Sequence, residues 1–448
     1  MTKPLPRLIA RFTRREDGAL TAFGLFLTIA MICVGGLGLD VANAIMVRTQ
    51  LQVAADSAAH AALVAREYKS EAEAKTIAVN VAQAAMPASA FGDTINANDI
   101  SFGTWDAATR VFSPDSTSRE AVLVNTQRLA ARANGVTTYF LRFVGVYNFD
   151  VVSQSVFETY YPTCFREGFV AEDIVDVQSN NVYGNGFCIH SNSHVEINNG
   201  NAFANGTIVS MPDKADLVIP TDGFTSNPGL ADALRSGSYQ MRIVDRIDDI
   251  ISYIDDPTST YFRSDYVDLD PITGLPPARL TLDRRDKLDN SNWVNGAIHE
   301  VNCNAANQKV TIPSNTVLTK GVLITNCKVE FGSNSEIRDI IMVSTSTEDD
   351  AFSGASGATI GLDDGCTAGG GAQLVTTGGM RFPSNLQIYG GQLIAAKNIE
   401  FAARPDGIEG VSIVSGGSID GSSLINVGFC GGAGMGNNFM AEYFRLAT

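Results

Sequence analysis

The side chains best able to do chemistry in this chain are four histidines and a scatter of carboxylates. His190, His194 and Glu196 share parity along a strand-like stretch, and three such ligands on one face could hold zinc. Ser191-Asn192-Ser193 has the composition of a corner, however, which breaks that parity, so a solvated face is expected there. Asp265, Asp268 and Asp270 followed by Gly274 offer the oxygens of a calcium loop, but their spacing fits no EF-hand and Pro271 intrudes. Glu348-Asp349-Asp350 and Asp363-Asp364 read as surface. There is no G-x-S-x-G, no phosphate-binding glycine loop and no H-E-x-x-H. No carboxylate pair recurs beside an Arg or Lys on one face. The chain is therefore expected to have no catalytic residues, no cofactor and no metal, and not to be an enzyme.

Cysteine is the other reactive type. Cys33 lies in an apolar run, and Cys164, Cys188, Cys303, Cys327, Cys366 and Cys430 are scattered too widely for a CxxC motif. Six such cysteines beyond a membrane segment are disulfide candidates in an oxidising compartment, with the pairing open. The net charge of −16 repels phosphate backbones, which argues against nucleic acid as a partner. Only 18% of residues are charged while 42 are glycine, a mix suited to an anchored, turn-rich β protein.

The elements that would carry these residues begin with an anchor. From Gly18 to Leu39 no side chain is charged, and at about 1.5 Å per residue this run gives ~33 Å of helix, enough to cross a bilayer core. Lys3, Arg7, Arg11, Arg14 and Arg15 precede it, so the N-terminus is expected in the cytoplasm and everything after Asp40 outside. The apolar run is too long for a usual signal peptide. Phe23 stands where a prepilin peptidase substrate carries Glu relative to Gly18. The expectation is one lipid-embedded helix in a bacterial inner membrane, with the body in the periplasm.

Arg14-Arg15-Glu16-Asp17-Gly18-Ala19, the apolar helix, Asp40 and the run from Arg48-Thr49-Gln50-Leu51 to Ala61-Ala62 resemble the signature of the TadE/TadG-like family of Flp (tight-adherence) pilus-assembly proteins. Ser101-Phe102-Gly103-Thr104-Trp105-Asp106, Ala121-Val122-Leu123-Val124 and Asp150–Val156 resemble that family's first extracytoplasmic module, so the likeness covers roughly residues 10–160. Some relatives add a metal-binding D-x-S-x-S motif; Asp115-Ser116-Thr117-Ser118 has the wrong spacing for it. The resemblance implies an accessory protein of pilus assembly whose partners are other pilus-assembly membrane proteins or pilins.

Beyond the anchor the helical signal runs to Met86, with Pro87 as a stop. Val47, Leu51, Ala54, Ala58, Ala61 and Ala65 follow a 4-3-4-3 seam of small residues, over which a partner's helix could approach closely. The seam is expected to share no core with the chain beyond Pro87. The segments are 1–17 basic N-terminus, 18–39 transmembrane helix, 40–86 Ala-rich helix, 87–162 small α/β module, and 163–448 a distal domain with a partly helical insertion at 211–300. In the α/β module, Ile100–Trp105, Arg110–Phe112, Ala121–Thr126 and Asp150–Glu158 read as strands, and Thr138–Val144 as helix.

The distal domain reads as short β-branched runs broken by Asn, Gly and Ser. Ser314-Asn315 and Ser333-Asn334 are 19 residues apart, about one coil of a parallel β-helix, and Ser384-Asn385 repeats the step. In the insertion, Met241, Val244, Ile247, Ile250, Ile251 and Ile254 recur at helical spacing up to Pro257. The fold class is thus mainly β with an N-terminal helical membrane anchor, ending in a right-handed parallel β-helix; a β-sandwich is the alternative. A glycan-binding adhesin, or a carbohydrate-active enzyme, competes with the assembly role. An aromatic groove along the β-helix would favour the adhesin, for which Tyr183, Phe187, Phe203, Phe331, Phe382 and Tyr389 are the available residues.

Overall fold

The computed structural model describes residues 17–447; the basic cluster at Lys3 to Arg15 lies outside the described residues. The described residues divide into two compact units, one of residues 17–160 with 443–447 and one of residues 161–442.

In the first unit, helix α1 (Asp17–Arg66) runs unbroken for 50 residues. It does not continue to Met86. A turn comes after Arg66, and α2 (Glu71–Ala85) begins with a capping box in which Ser70 and Glu73 exchange side-chain-to-backbone bonds. α2 folds back along α1, placing Ala74, Ala78 and Ala82 among the small residues of the longer helix. Beneath them lies an antiparallel sheet of β1 (Ile100–Asp106), β2 (Val111–Pro114), β3 (Ala121–Arg128) and β6 (Val151–Tyr160), in order β2-β1-β3-β6. The C-terminal strand Tyr443–Leu446 completes it on the far side of β6. Between β3 and β6, the short strands β4 (Val136–Thr137) and β5 (Asn148–Phe149) pair as the stem of a loop. The expected helix at Thr138–Val144 is a single 3-10 turn, Leu141–Val144, ended by Gly145 at φ +90°.

The second unit is a parallel β-helix. Every ladder of its sheet among the described residues is parallel, which rules out the sandwich alternative. The Ser-Asn steps fall at corners: Asn315, Asn334 and Asn385 have φ of +58°, +54° and +51°, angles that asparagine tolerates better than most residues. The coils do not stack in chain order. Gly168–Ala171 pairs with Cys188–Ser191 on one side and, on the other, with Ser412–Ser415. The chain thus enters in mid-stack, builds one arm outward through residues 188–211, and crosses to the far end. From there coils at 297, 321, 340, 372, 392 and 412 return to close on the first.

In-register residues make continuous rows. Ile189, Phe169, Ile413, Leu393, Leu374, Met342 and Leu323 line the interior. A second inward row turns the corner with hydroxyls. Thr325 donates to the Val301 carbonyl (2.7 Å), Ser344 to that of Cys327 (2.8 Å) and Ser415 to that of Lys397 (2.8 Å). Each hydroxyl also accepts the N–H two residues on, so the bent backbone keeps its bonds.

The crossing segment is a strap laid lengthwise on the outer face of this sheet. Tyr239 meets the His190 ring (4.7 Å between centroids), Arg263 lies over Phe439 (4.7 Å), Tyr266 donates to the Gly371 carbonyl (3.3 Å) and Asp268 pairs with Lys320 (2.6 Å). The helix expected over Met241–Ile254 is shorter, Ile247–Tyr253, and buries Ile247, Ile250 and Ile251. Strands such as Gln392–Ala395 and Ser412–Ser415 are buried on both faces, and the polar groups they bury are bonded: Gln392 accepts the Phe439 N–H (2.7 Å) and Ser412 donates to the Phe165 carbonyl (2.8 Å).

Candidate functional site

The two halves of α1 live in different surroundings. From Leu20 to Leu39 its large apolar side chains are bare: Leu20, Phe23, Phe26 and Val34 are each at least 65% exposed. This is the one helix among the described residues long and apolar enough to cross a membrane. Such a surface is compatible with lipid and costly in water. From Val47 onward a stripe of the same helix becomes the core of the first unit.

Of the predicted seam, Val47, Leu51, Ala54 and Ala58 are buried with Ala74, Ala78, Ala82, Phe102, Val122 and Val124. A helix and a sheet of the chain itself pack along this stretch of α1, and the helices and sheet share one core rather than standing apart. Small side chains are what that packing needs, because two helices and a sheet approach at once. Ala61 and Ala65 are only half-buried. Polar bonds fix the register: Thr126 Oγ1 donates to the Leu51 carbonyl (2.8 Å) and Ser153 Oγ to that of Arg48 (3.1 Å).

Asp40 marks the boundary. Its carboxylate is buried and accepts the backbone N–H groups of Tyr139 (2.6 Å), Phe140 (3.0 Å) and Leu141 (2.7 Å). Those donors are the otherwise unpaired start of the 3-10 turn, where a negative group is favoured. The loop is further closed by Thr138, whose hydroxyl donates to the Val146 carbonyl (2.6 Å). One turn below Asp40, Gly36 lies against Phe140. In the sequence Asp40 is visible only as the end of an apolar run; nothing local shows that its partners lie about a hundred residues away.

The candidate ligands do not converge. His190 sits under the strap, its Nδ1 2.7 Å from the Ser210 hydroxyl and its Nε2 3.0 Å from Asn192, and burial pushes its pKa down. His194 and Glu196 contact each other at 3.1 Å. Asp268 pairs with Lys320, while Asp270 accepts the N–H groups of Ile272 and Thr273 in its own turn. Asp349 and Asp350 pair with Lys397 and Lys328. Among the described residues the one trio of possible metal ligands is Cys366, Glu409 and Cys430, and its two sulfurs are bonded to each other. The other bridges are Cys164–Cys188 and Cys303–Cys327, and Cys33 is a free, exposed thiol. The six aromatics available for a glycan groove are all buried, Tyr183, Phe187, Phe331 and Phe382 at 0–1% exposure.

Comparison with known proteins respects this division. The family described as putative Flp pilus-assembly TadE/G-like matches residues 18–85, from the bare helix through the hairpin of α1 and α2. A domain of unknown function (DUF7867) matches residues 168–431, which is the β-helix and its strap. No curated protein and no solved structure matches the chain.

Proposed function

The chain belongs to the family of the domain of unknown function DUF7867, which spans more than half of it, and from that premise and its TadE/G-like N-terminal segment we propose a membrane-anchored accessory protein of Flp-type pilus assembly. One observation carries the reading. The stretch that matches the pilus-assembly family is the helix that is bare and apolar below Asp40 and built into a folded unit above it. Such a helix ties a folded body to a bilayer.

In this reading the N-terminus is cytoplasmic, the body is periplasmic, and the anchor lies in the inner membrane. The three disulfides suit an oxidising compartment. The protein acts by contact with pilins or other assembly proteins. Half-buried Ala61 and the bare helix are parts of α1 that remain available for such contacts. Deletion of the gene in its own bacterium is expected to abolish or thin the pili, with restoration by the full chain. Reporter fusions placed after Arg48 should be active only outside the cytoplasm. Normal piliation in the deletion strain, or a cytoplasmic reporter signal, would overturn the proposal.

A further inference from the structure

The loop between β4 and β5 presents apolar side chains to the surroundings in a way a water-facing loop would not. Phe143 is 83% exposed, Val144 67%, and Tyr139 and Tyr147 61% each. Four large apolar or aromatic groups on a nine-residue tip make a patch that soluble surfaces usually avoid. The tip is not a loose end. Its stem is the β4–β5 pairing, its interior is closed by the Thr138 bonds, and its turn is bound to Asp40 by three backbone N–H groups.

Its level along α1 decides what covers it. Asp40 ends the uncharged run, and Phe140 packs on Gly36, four residues further toward the N-terminus. Four residues of helix rise about 6 Å. The loop therefore hangs beside the last turn of the lipid-compatible segment, below the level at which the charge-free run stops, a turn whose Leu37 and Leu39 are bare as well. Tyrosine and phenylalanine with an exposed Arg142 between them have the composition of a membrane interface, the rings among the acyl ends and the cation among phosphates.

We infer that residues 139–147 are a second membrane contact, a loop that dips into the outer face of the bilayer beside the anchor helix and is held there by Asp40. The occupant of the patch is lipid. The inference rests on reading residues 18–39 as crossing a membrane. Two contacts with the bilayer, unlike one, stop the first unit from tilting freely about its anchor.

The test uses the full chain, with Trp105 and Trp293 replaced by Phe, in vesicles of phosphatidylethanolamine and phosphatidylglycerol with or without bromine-labelled acyl chains. Single tryptophans are placed by Phe143→Trp, by Phe26→Trp in the anchor and by Tyr68→Trp near the far end of α1. The expected result is short-wavelength emission from positions 143 and 26, largely lost with brominated lipid, and unquenched emission from position 68. If position 26 is quenched but 143 emits like an exposed tryptophan, the loop is not in lipid and the inference fails while the anchor stands. Short-wavelength emission at 143 without quenching would mean a protein, such as a second copy, covers the loop, and the inference fails equally. Absence of quenching at both 26 and 143 overturns the anchor reading along with it.

Discussion

Gly36 in the anchor helix and Phe140 in the β4–β5 loop lie so close that a Cβ on residue 36 would stand 2.4 Å from the Cβ of the phenylalanine. Two segments a hundred residues apart thus meet at a position only glycine can occupy. Replacing Gly36 with Leu is expected to expel the loop from the helix while leaving the buried stripe from Val47 onward in place. Faster amide exchange confined to residues 138–147, in detergent-solubilised protein, is the predicted readout.

Asp40→Ala should release the same loop by a different route. Three N–H groups lose their acceptor, and their exchange protection should vanish. Asp40→Asn keeps an acceptor oxygen without the charge and should retain part of the protection. Unchanged exchange in both variants would show that the β4–β5 stem alone positions the loop.

Ala78→Leu on α2 puts extra carbons where α1 and α2 already touch. Overpacking of this kind typically costs about 1–3 kcal/mol, and both helices should show it because they share one core. Limited proteolysis should then cut between Arg66 and Ser70. Ile77→Leu, on a more exposed position of the same helix, should be nearly silent.

The three disulfides should appear as Cys164–Cys188, Cys303–Cys327 and Cys366–Cys430 in non-reducing peptide maps, with Cys33 alone accessible to alkylation. The first two each close a separation of 24 residues, and replacing either pair by serine should destabilise the β-helix by roughly 2–4 kcal/mol.

His299 gives the β-helix a pH dependence. It is fully buried, stacked on Trp293 with 4.0 Å between ring centroids, and its Nε2 accepts the Val294 N–H (3.0 Å). Burial drives its pKa down from 6.5 to about 4. The unfolded chain therefore takes up a proton near pH 6.5 that the folded chain refuses until about pH 4, so stability falls as pH drops through that window. A shift of this size corresponds to something on the order of 3 kcal/mol. Denaturation midpoints followed by Trp293 fluorescence, with Trp105 replaced by Phe, should decline between about pH 7 and pH 4.5 and decline less in His299→Gln, where buried His190 still contributes.

Much of this architecture is legible in the sequence because it repeats locally. The uncharged run to Leu39 reads as a helix long and apolar enough to cross a membrane, and the Ser314 and Ser333 steps mark real corners one coil apart. The turn at Ser70 is legible too, since Ser70-x-x-Glu73 is a helix-start signature, but continuous Ala-rich periodicity masks it. Sequence does not show which surfaces meet. The seam of Val47, Leu51, Ala54 and Ala58 suits a partner's helix and the chain's own equally well, since both present alanine. The hydroxyl row of Thr325, Ser344 and Ser415 is a usable corner signal, hidden among so many serines. Thr138–Val144 reads as helix because Leu-Arg-Phe-Val has the right composition, whereas Asp40 claims the N–H groups at the start of what is a single 3-10 turn.

The stacking of Ser412–Ser415 on Gly168–Ala171 has a consequence for the time at which this protein can take shape. Ordinarily a solenoid can consolidate coil by coil as it leaves a translocation channel. Here the strand at residue 168 lacks a neighbour on one side until its register partner at residue 412 is available, some 244 positions later in the chain. Closing so large a loop is slow, and the strap must be in place before the outer face of the sheet is covered. The early arm is therefore a sticky, half-roofed intermediate until the last coil arrives, and in that interval its open strand is most exposed to mispairing.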